Sequence, residues 1–160
     1  MRCAALPGIL KISEASSLAI HGLGLLAAVT DRPLTTVEIA KVLDVSHAHL
    51  AKVFQRLARA GLVRSHRGPK GGFFLGKDAK TTTLLEIFES IDGPIAAEDV
   101  CSLSFPHCDA SKCVVGRLVS DLTEKVRSVL SESRLSDLIG LYQNMYAARA
   151  SAPAGGGGRQ

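Results

Sequence analysis

The sequence of 160 residues predicts a mainly α fold with one small β-hairpin, held in a single domain. Three observations predict it. Two short amphipathic stretches, 36–43 and 47–60, are separated by only Asp44, Val45 and Ser46. A basic, glycine-rich turn at 67–72 lies between the apolar runs 62–65 and 73–75. Apolar residues then return at helical spacing from Ser111 to about Leu130. Apolar residues make up 46% of the chain, ample for a core, whereas aromatics are only 4% and Trp is absent. The core is therefore expected to be built from Leu, Val, Ile and Ala.

Residues 1–10 read as an N-terminal extension. Ser16 or Ser17 is expected to cap a first helix running to about Thr30, with Leu18, Leu25, Leu26 and Val29 inward. Gly22 and Gly24 weaken that helix intrinsically. Thr35-x-x-Glu38 is a capping box opening helix 36–43. Ser46 caps helix 47–60, with Leu50, Val53, Phe54 and Leu57 on one face, and Gly61 stands at its C-terminal cap. Helix, tight turn and helix, followed by a hairpin, is the pattern of a winged helix-turn-helix. A second capping box, Thr83-x-x-Glu86, opens helix 84–91, which Gly93-Pro94 ends.

Residues 95–112 lack periodicity and read as a loop. The helix from 111 to 130, about 30 Å long, offers Val114, Val115, Leu118, Leu122, Val126, Val129 and Leu130. One small domain cannot bury so long an apolar stripe, so it is expected to be a dimerisation helix. Ser136 is expected to cap a last helix toward Tyr146, and 147–160 is a disordered tail by composition. The organisation expected is thus an extension (1–10), a winged DNA-binding region (11–94), a cysteine-rich loop (95–113), a dimerisation and C-terminal helical region (111–146) and a tail.

Charge is distributed unevenly. The net charge is +4, yet residues 41–80 hold nine of the 19 basic residues against two acids, Asp44 and Asp78. On charge alone such a block is equally a solvated face or the footprint of a polyanion; within this helix-turn-helix pattern it points to double-stranded DNA. At the start of helix 47–60, His47, Ala48, His49, Ala51 and Lys52 are the base-edge candidates. Arg56 and Arg59 read as phosphate contacts or as a solvated face. At the wing, Arg67 is placed for the minor groove or backbone and Lys70 for a phosphate. Phe54, Phe73 and Phe74 are expected in the core.

Cys101, Cys108 and Cys113 are spaced C-x6-C-x4-C, and Cys3 is the remaining cysteine. The gaps are wider than the C-x2-C pairs of zinc modules, and clustered thiolates suit an iron–sulfur cluster. Zinc or thiol-based sensing is the alternative. No secretory signal is evident and no stretch reaches the length of a membrane span, so a cytoplasmic protein is expected. There is no nucleophile–base constellation, phosphate-binding glycine motif or convincing carboxylate pair, and an enzyme is not expected.

The segments KISEASSLAIHGL, LTTVEIAKVLDVSHAHLAKVFQRLARAGLVRSHRGPKGGFFLGKDA and EIFESIDG, the three cysteines and CVVGRLVSDLTEKVRSVL together resemble the Rrf2 family of bacterial transcription regulators. RGPKGGFFLGKDA after the helix-turn-helix is the most specific of these. The resemblance covers roughly residues 11–140. It implies a homodimer on a partly palindromic operator, and a [2Fe–2S] or [4Fe–4S] cluster held by Cys101, Cys108, Cys113 and a non-cysteine ligand. The position of one familial histidine ligand is Gly116 here, and that of a carboxylate ligand is Ser17. His21, a polar residue in an apolar run one turn after Ser17, matches a third pattern, with an ordinary helix residue or hydrogen-bonded core histidine as the other reading; His107 competes with it as ligand, and Asp109 is weaker. The fourth ligand could come from the other subunit. Ala51 stands where some relatives carry a glutamate that serves two operator types. The implied function is a repressor governed by redox state, nitric oxide or iron–sulfur status. A cluster-free regulator controlled by zinc, thiols or a protein partner is the alternative, and an iron–sulfur electron carrier a more remote one.

Overall fold

The computed structural model describes residues 12–68, 71–95 and 113–150, with side chains to 148. Lys70, Cys101, His107, Cys108 and Asp109, like residues 1–11 and 151–160, lie outside the described residues; residues 147–150, expected in the tail, instead continue the last helix. In chain order the elements are α1 (Glu14–Ala28), α2 (Thr36–Leu43), α3 (His47–Arg59), β1 (Val63–His66), β2 (Gly72–Leu75), α4 (Leu84–Asp92), α5 (Val114–Glu132), a 3-10 turn (Leu135–Leu138) and α6 (Ile139–Ala150). The mainly α fold with a hairpin wing is therefore present.

α1 is the axis of the core. It packs against α2, α3, α4, α6 and β2, and buries Leu18, Ala19, Leu23, Leu25, Leu26 and Ala27. Its cap is Ser13, one turn earlier than the sequence indicates; the Ser13 hydroxyl accepts from the Ser16 amide at 3.0 Å. Ser16 is fully buried, and its hydroxyl donates to Asp92 instead. The two glycines of α1 are close-approach positions. A Cβ at residue 22 would stand 2.7 Å from the Phe54 ring, and one at residue 24 would stand 2.2 Å from the Tyr142 ring. Their cost in helix propensity is offset by letting α3 and α6 lie against the α1 backbone.

α2 begins with the complete capping box. Thr35 Oγ1 accepts from the Glu38 amide at 3.1 Å, and Glu38 Oε2 accepts from the Thr35 amide at 2.8 Å. Asp44 ends α2 in the left-handed region (φ 57°), a conformation that short polar side chains tolerate. Ser46 then caps α3, which buries Leu50, Val53, Phe54 and Leu57. The strands pair antiparallel, Val63 opposite Leu75 and His66 opposite Gly72. Leu34 bridges to Phe73, fixing the wing to the start of the helix-turn-helix. Phe54 is fully buried, whereas Phe73 and Phe74 are half-buried.

Thr83 caps α4 by accepting from the Glu86 amide at 3.0 Å. α5 packs against α4 and returns the chain to it: the Leu84 amide donates to Ser133 O at 3.0 Å. α5 buries only Gly116. Ser136 does not cap a last α-helix directly. The chain first makes the 3-10 turn, in which the Arg134 amide donates to Asp137 Oδ2 at 2.8 Å, and α6 follows. Among the described residues, no helix is long and apolar enough to cross a membrane.

Candidate nucleic-acid interface and metal-binding residues

The outer face of the helix-turn-helix begins at Ser46, whose hydroxyl accepts from the His49 amide. The cap leaves the first turn of α3 open at the surface: His47, Ala48 and Lys52 are exposed, and His49 and Ala51 are half-buried. The two histidines are steered by neighbours. Thr36 Oγ1 lies 3.0 Å from His47 Nε2, and Glu14 Oε1 lies 3.4 Å from His49 Nδ1. Each imidazole keeps a second nitrogen with which to meet a base edge or phosphate.

Further along α3, Arg56 extends a guanidinium nitrogen, Nη2, to the Ile91 carbonyl at the end of α4. The sequence offered a phosphate contact or a solvated face for this residue; this bond was not legible because its partner lies 35 residues away. Arg59 and Arg67 are exposed. Arg67 precedes Gly68, whose φ of 135° suits the wing tip to glycine. α3 and the wing therefore present His47, His49, Ala51, Lys52 and Arg67 on the described surface, an arrangement able to read one groove and hold the adjoining backbone.

Cys113 is the N-cap of α5. Its Sγ accepts from the Gly116 amide at 3.4 Å, and the residue is half-exposed. The sulfur stands at the open start of the helix, partly exposed, where a cluster held by the preceding segment could reach it. This one described cysteine thus fits a cluster ligand. Among the described residues, no group of three His, Cys, Asp or Glu side chains forms a metal-holding cluster.

His21 sits on α1 against α6, with Nδ1 hydrogen-bonded to the Tyr142 hydroxyl and the two rings edge to face. Burial lowers its pKa below the usual 6.5, so the imidazole is neutral at pH 7. A neutral ring with Nδ1 engaged by a second group could ligate through Nε2. Ser17, one turn earlier, is half-buried, and its amide continues α1 by donating to Ser13 O at 3.0 Å. α1, which carries His21, and α5, which Cys113 caps, both pack against α4. α5 rests on α4, and Arg127 donates to Ile95 O at 3.4 Å. Cys113 lies 14 residues upstream of Arg127, about 21 Å along the helix axis.

Three contacts joining distant elements escaped the sequence reading: Ser13 and Ser16 with Asp92, Arg32 with Glu38 and Tyr146, and His21 with Tyr142. Of these residues, His21 carried a signal, as a polar side chain within an apolar run.

Residues 12–140 match the family model described as Rrf2, iron-dependent transcriptional regulator. The HTH-type transcriptional regulator IscR of Yersinia pseudotuberculosis is 31% identical over 109 residues, which cover 68% of this chain and 66% of that protein. IscR of Klebsiella pneumoniae is 32% identical over 107 residues, covering 67% and 65%. The chain thus spans slightly less than two thirds of the length of these relatives. Among solved structures, CymR, the global cysteine regulator of B. subtilis, superposes with a TM-score of 0.68 at 26% identity, covering 83% of this chain and 98% of that one. IscR of T. potens shares the fold, with a TM-score of 0.65 at 22% identity over 91% and 94% of the two chains. The helix-turn-helix, the basic wing and a family match running from α1 through α5 lead to one conclusion: the chain belongs to the Rrf2 family of transcriptional regulators.

Proposed function

We propose that this protein is a homodimeric DNA-binding repressor whose operator affinity is governed by an iron–sulfur cluster. Cys101, Cys108 and Cys113 would hold the cluster, with His21 as the fourth ligand. The observation that carries this reading is the position of Cys113: it caps α5, the helix whose apolar side chains Val114, Val115, Leu118 and Val129 are exposed. A thiolate at that point couples metal occupancy to the helix best suited to join two chains. Exposed apolar residues in a row are a mark of an interface.

A histidine supplied by the second copy of the chain would make cluster and dimer stabilise each other. The cluster, when bound, supplies a redox-active and nitric-oxide-reactive iron centre. The protein's part is to hold two α3 helices at a spacing that fits successive major grooves, with His47, His49, Ala51 and Lys52 at base edges and Arg67 and Lys70 on the backbone. Only a difference in DNA affinity between the loaded and cluster-free forms can make the cluster a switch.

The test is anaerobic purification, with iron, sulfide and zinc analysis, followed by operator titration of loaded and cluster-free protein at one salt concentration. Iron with equal sulfide, lost in Cys113→Ala, together with unequal operator affinities, is the expected result. Zinc alone, or no metal after reconstitution, would overturn the cluster and leave a cluster-free regulator. Arg67→Ala is expected to weaken operator binding by roughly 3- to 10-fold, about one phosphate or groove contact.

A further inference from the structure

We propose that Asp92 is the positioning residue of a polar joint that ties the recognition helix to the base of the cysteine segment. The inference rests on the cluster-controlled reading above and names how that control reaches α3.

The joint has three sides. On the first, the last residue of α4 grips the start of α1: Ser13 Oγ donates to Asp92 Oδ1 at 2.8 Å, and the buried Ser16 Oγ donates to Asp92 Oδ2 at 2.7 Å. On the second, Arg56 of α3 donates to the carbonyl of Ile91, the residue before Asp92. On the third, Glu14 of α1 faces His49 of α3 at 3.4 Å. The start of α1, the recognition helix and the last turn of α4 are therefore linked in a closed ring. Gly93 ends α4, and the stretch bearing Cys101 and Cys108 follows within a few residues.

Asp92 is not where its own helix would favour it. A carboxylate at a helix C-terminus opposes the helix dipole, whereas one at a helix N-terminus is favoured. Asp92 ends α4 but lies against the capped start of α1, so its contribution is made between helices. Two oxygens on two hydroxyls restrain an angle as well as a distance. The Arg56 bond meets a carbonyl that the end of α4 cannot satisfy internally. A shift in the last turn of α4 is thus delivered to α1 and α3 together, because residues 91 and 92 hold one each. The apolar face of the same turn is packed, with Ile87 and Ile91 buried, so the turn moves as a unit.

The experiment compares the operator affinities of loaded and cluster-free full-length protein in wild type, Asp92→Ala, Asp92→Asn, Arg56→Met and Arg32→Ala. A second readout is amide hydrogen exchange at residues 13–17 and 46–50 in both forms. Wild type is expected to show unequal affinities and a change in exchange at both segments on cluster loss. Asp92→Ala and Arg56→Met are expected to keep iron and sulfide content but to bring the two affinities within about twofold of each other. Their exchange should no longer respond to the cluster. Asp92→Asn, which keeps one acceptor oxygen, should fall between. Arg32→Ala, which breaks a polar bridge outside the ring, should keep the wild-type ratio. If the Asp92 and Arg56 variants melt earlier yet retain the wild-type ratio and exchange response, the ring is a structural staple and the proposal is overturned while cluster control stands. Equal affinities in wild type would remove cluster control and the joint together. Should Asp92→Ala fail to fold, Arg56→Met and Asp92→Asn carry the same decision.

Discussion

α1 buries Leu18, Ala19, Leu23, Leu25 and Leu26 within its own chain, whereas α5 buries only Gly116 and turns Val114, Val115, Leu118 and Val129 outward. Val114 is 81% exposed and Leu118 52%. Both helices are rich in aliphatic residues, so composition does not separate them. Their surroundings do. α1 is enclosed by α2, α3, α4 and α6, while α5 has α4 as its principal neighbour. A helix that is apolar all round is finished inside one chain, and a helix with an outward apolar stripe calls for a partner. The same kind of substitution should therefore act on folding in α1 and on association in α5.

The largest expected effect is Gly24→Ala. The added methyl would overlap the buried Tyr142 ring. We expect a loss of about 2–3 kcal/mol, typical of an overpacked core, read as a fall in melting temperature of the cluster-free protein. An unchanged melt would show that α6 yields, and that α1 is less enclosed than its burial implies. Leu118→Glu should instead leave the monomer fold intact and abolish the dimer in sedimentation. The expected loss of operator affinity is at least about tenfold, because the second half-site is no longer held in place. A Leu118→Glu protein that remains dimeric would move the interface off this part of α5.

His21 provides the smallest effect and sharpens the contrast, being a polar group that α1 buries. Burial pushes its folded pKa below 6.5, so the unfolded chain binds its proton first. The stability it contributes as a neutral ring is complete above pH 6.5 and is lost as pH falls through the lower folded value. The melting temperature of the cluster-free protein should drop across that window, and His21→Gln should flatten the drop. A wild-type melt that is level from about pH 7 to 5 would count against the buried, neutral imidazole.

What the sequence made legible was local. Thr35 and Glu38 form their capping box three residues apart, and Thr83 and Ser46 cap the helices that they precede. Gly61 and the wing glycines also act within a few residues. Contacts across the chain were illegible. Ser16 reads as a cap until Asp92, 76 residues away, takes its hydroxyl. Gly22 and Gly24 read as weak points in a helix until Phe54 and Tyr142 are seen against them. The candidate interface was legible in part. Residue types on α3 follow from helical spacing, but the partners that steer His47, His49 and Arg56 come from α2, α1 and α4. His21 stood out as a polar residue in an apolar run, while its partner Tyr142 did not.

The pairing of His21 with Tyr142 spans 121 residues. At bacterial and eukaryotic synthesis rates of about 5–20 residues per second, the ribosome needs about 6–24 s to travel from one to the other. During that interval α1 and the recognition helix have been made, but the groove over Gly24 still lacks the ring that fills it. α1, made before the other described helices, is among the last to be completed. A nascent chain therefore carries its DNA-reading residues on an unfinished core, and the arrival of α6 makes them the property of a folded protein.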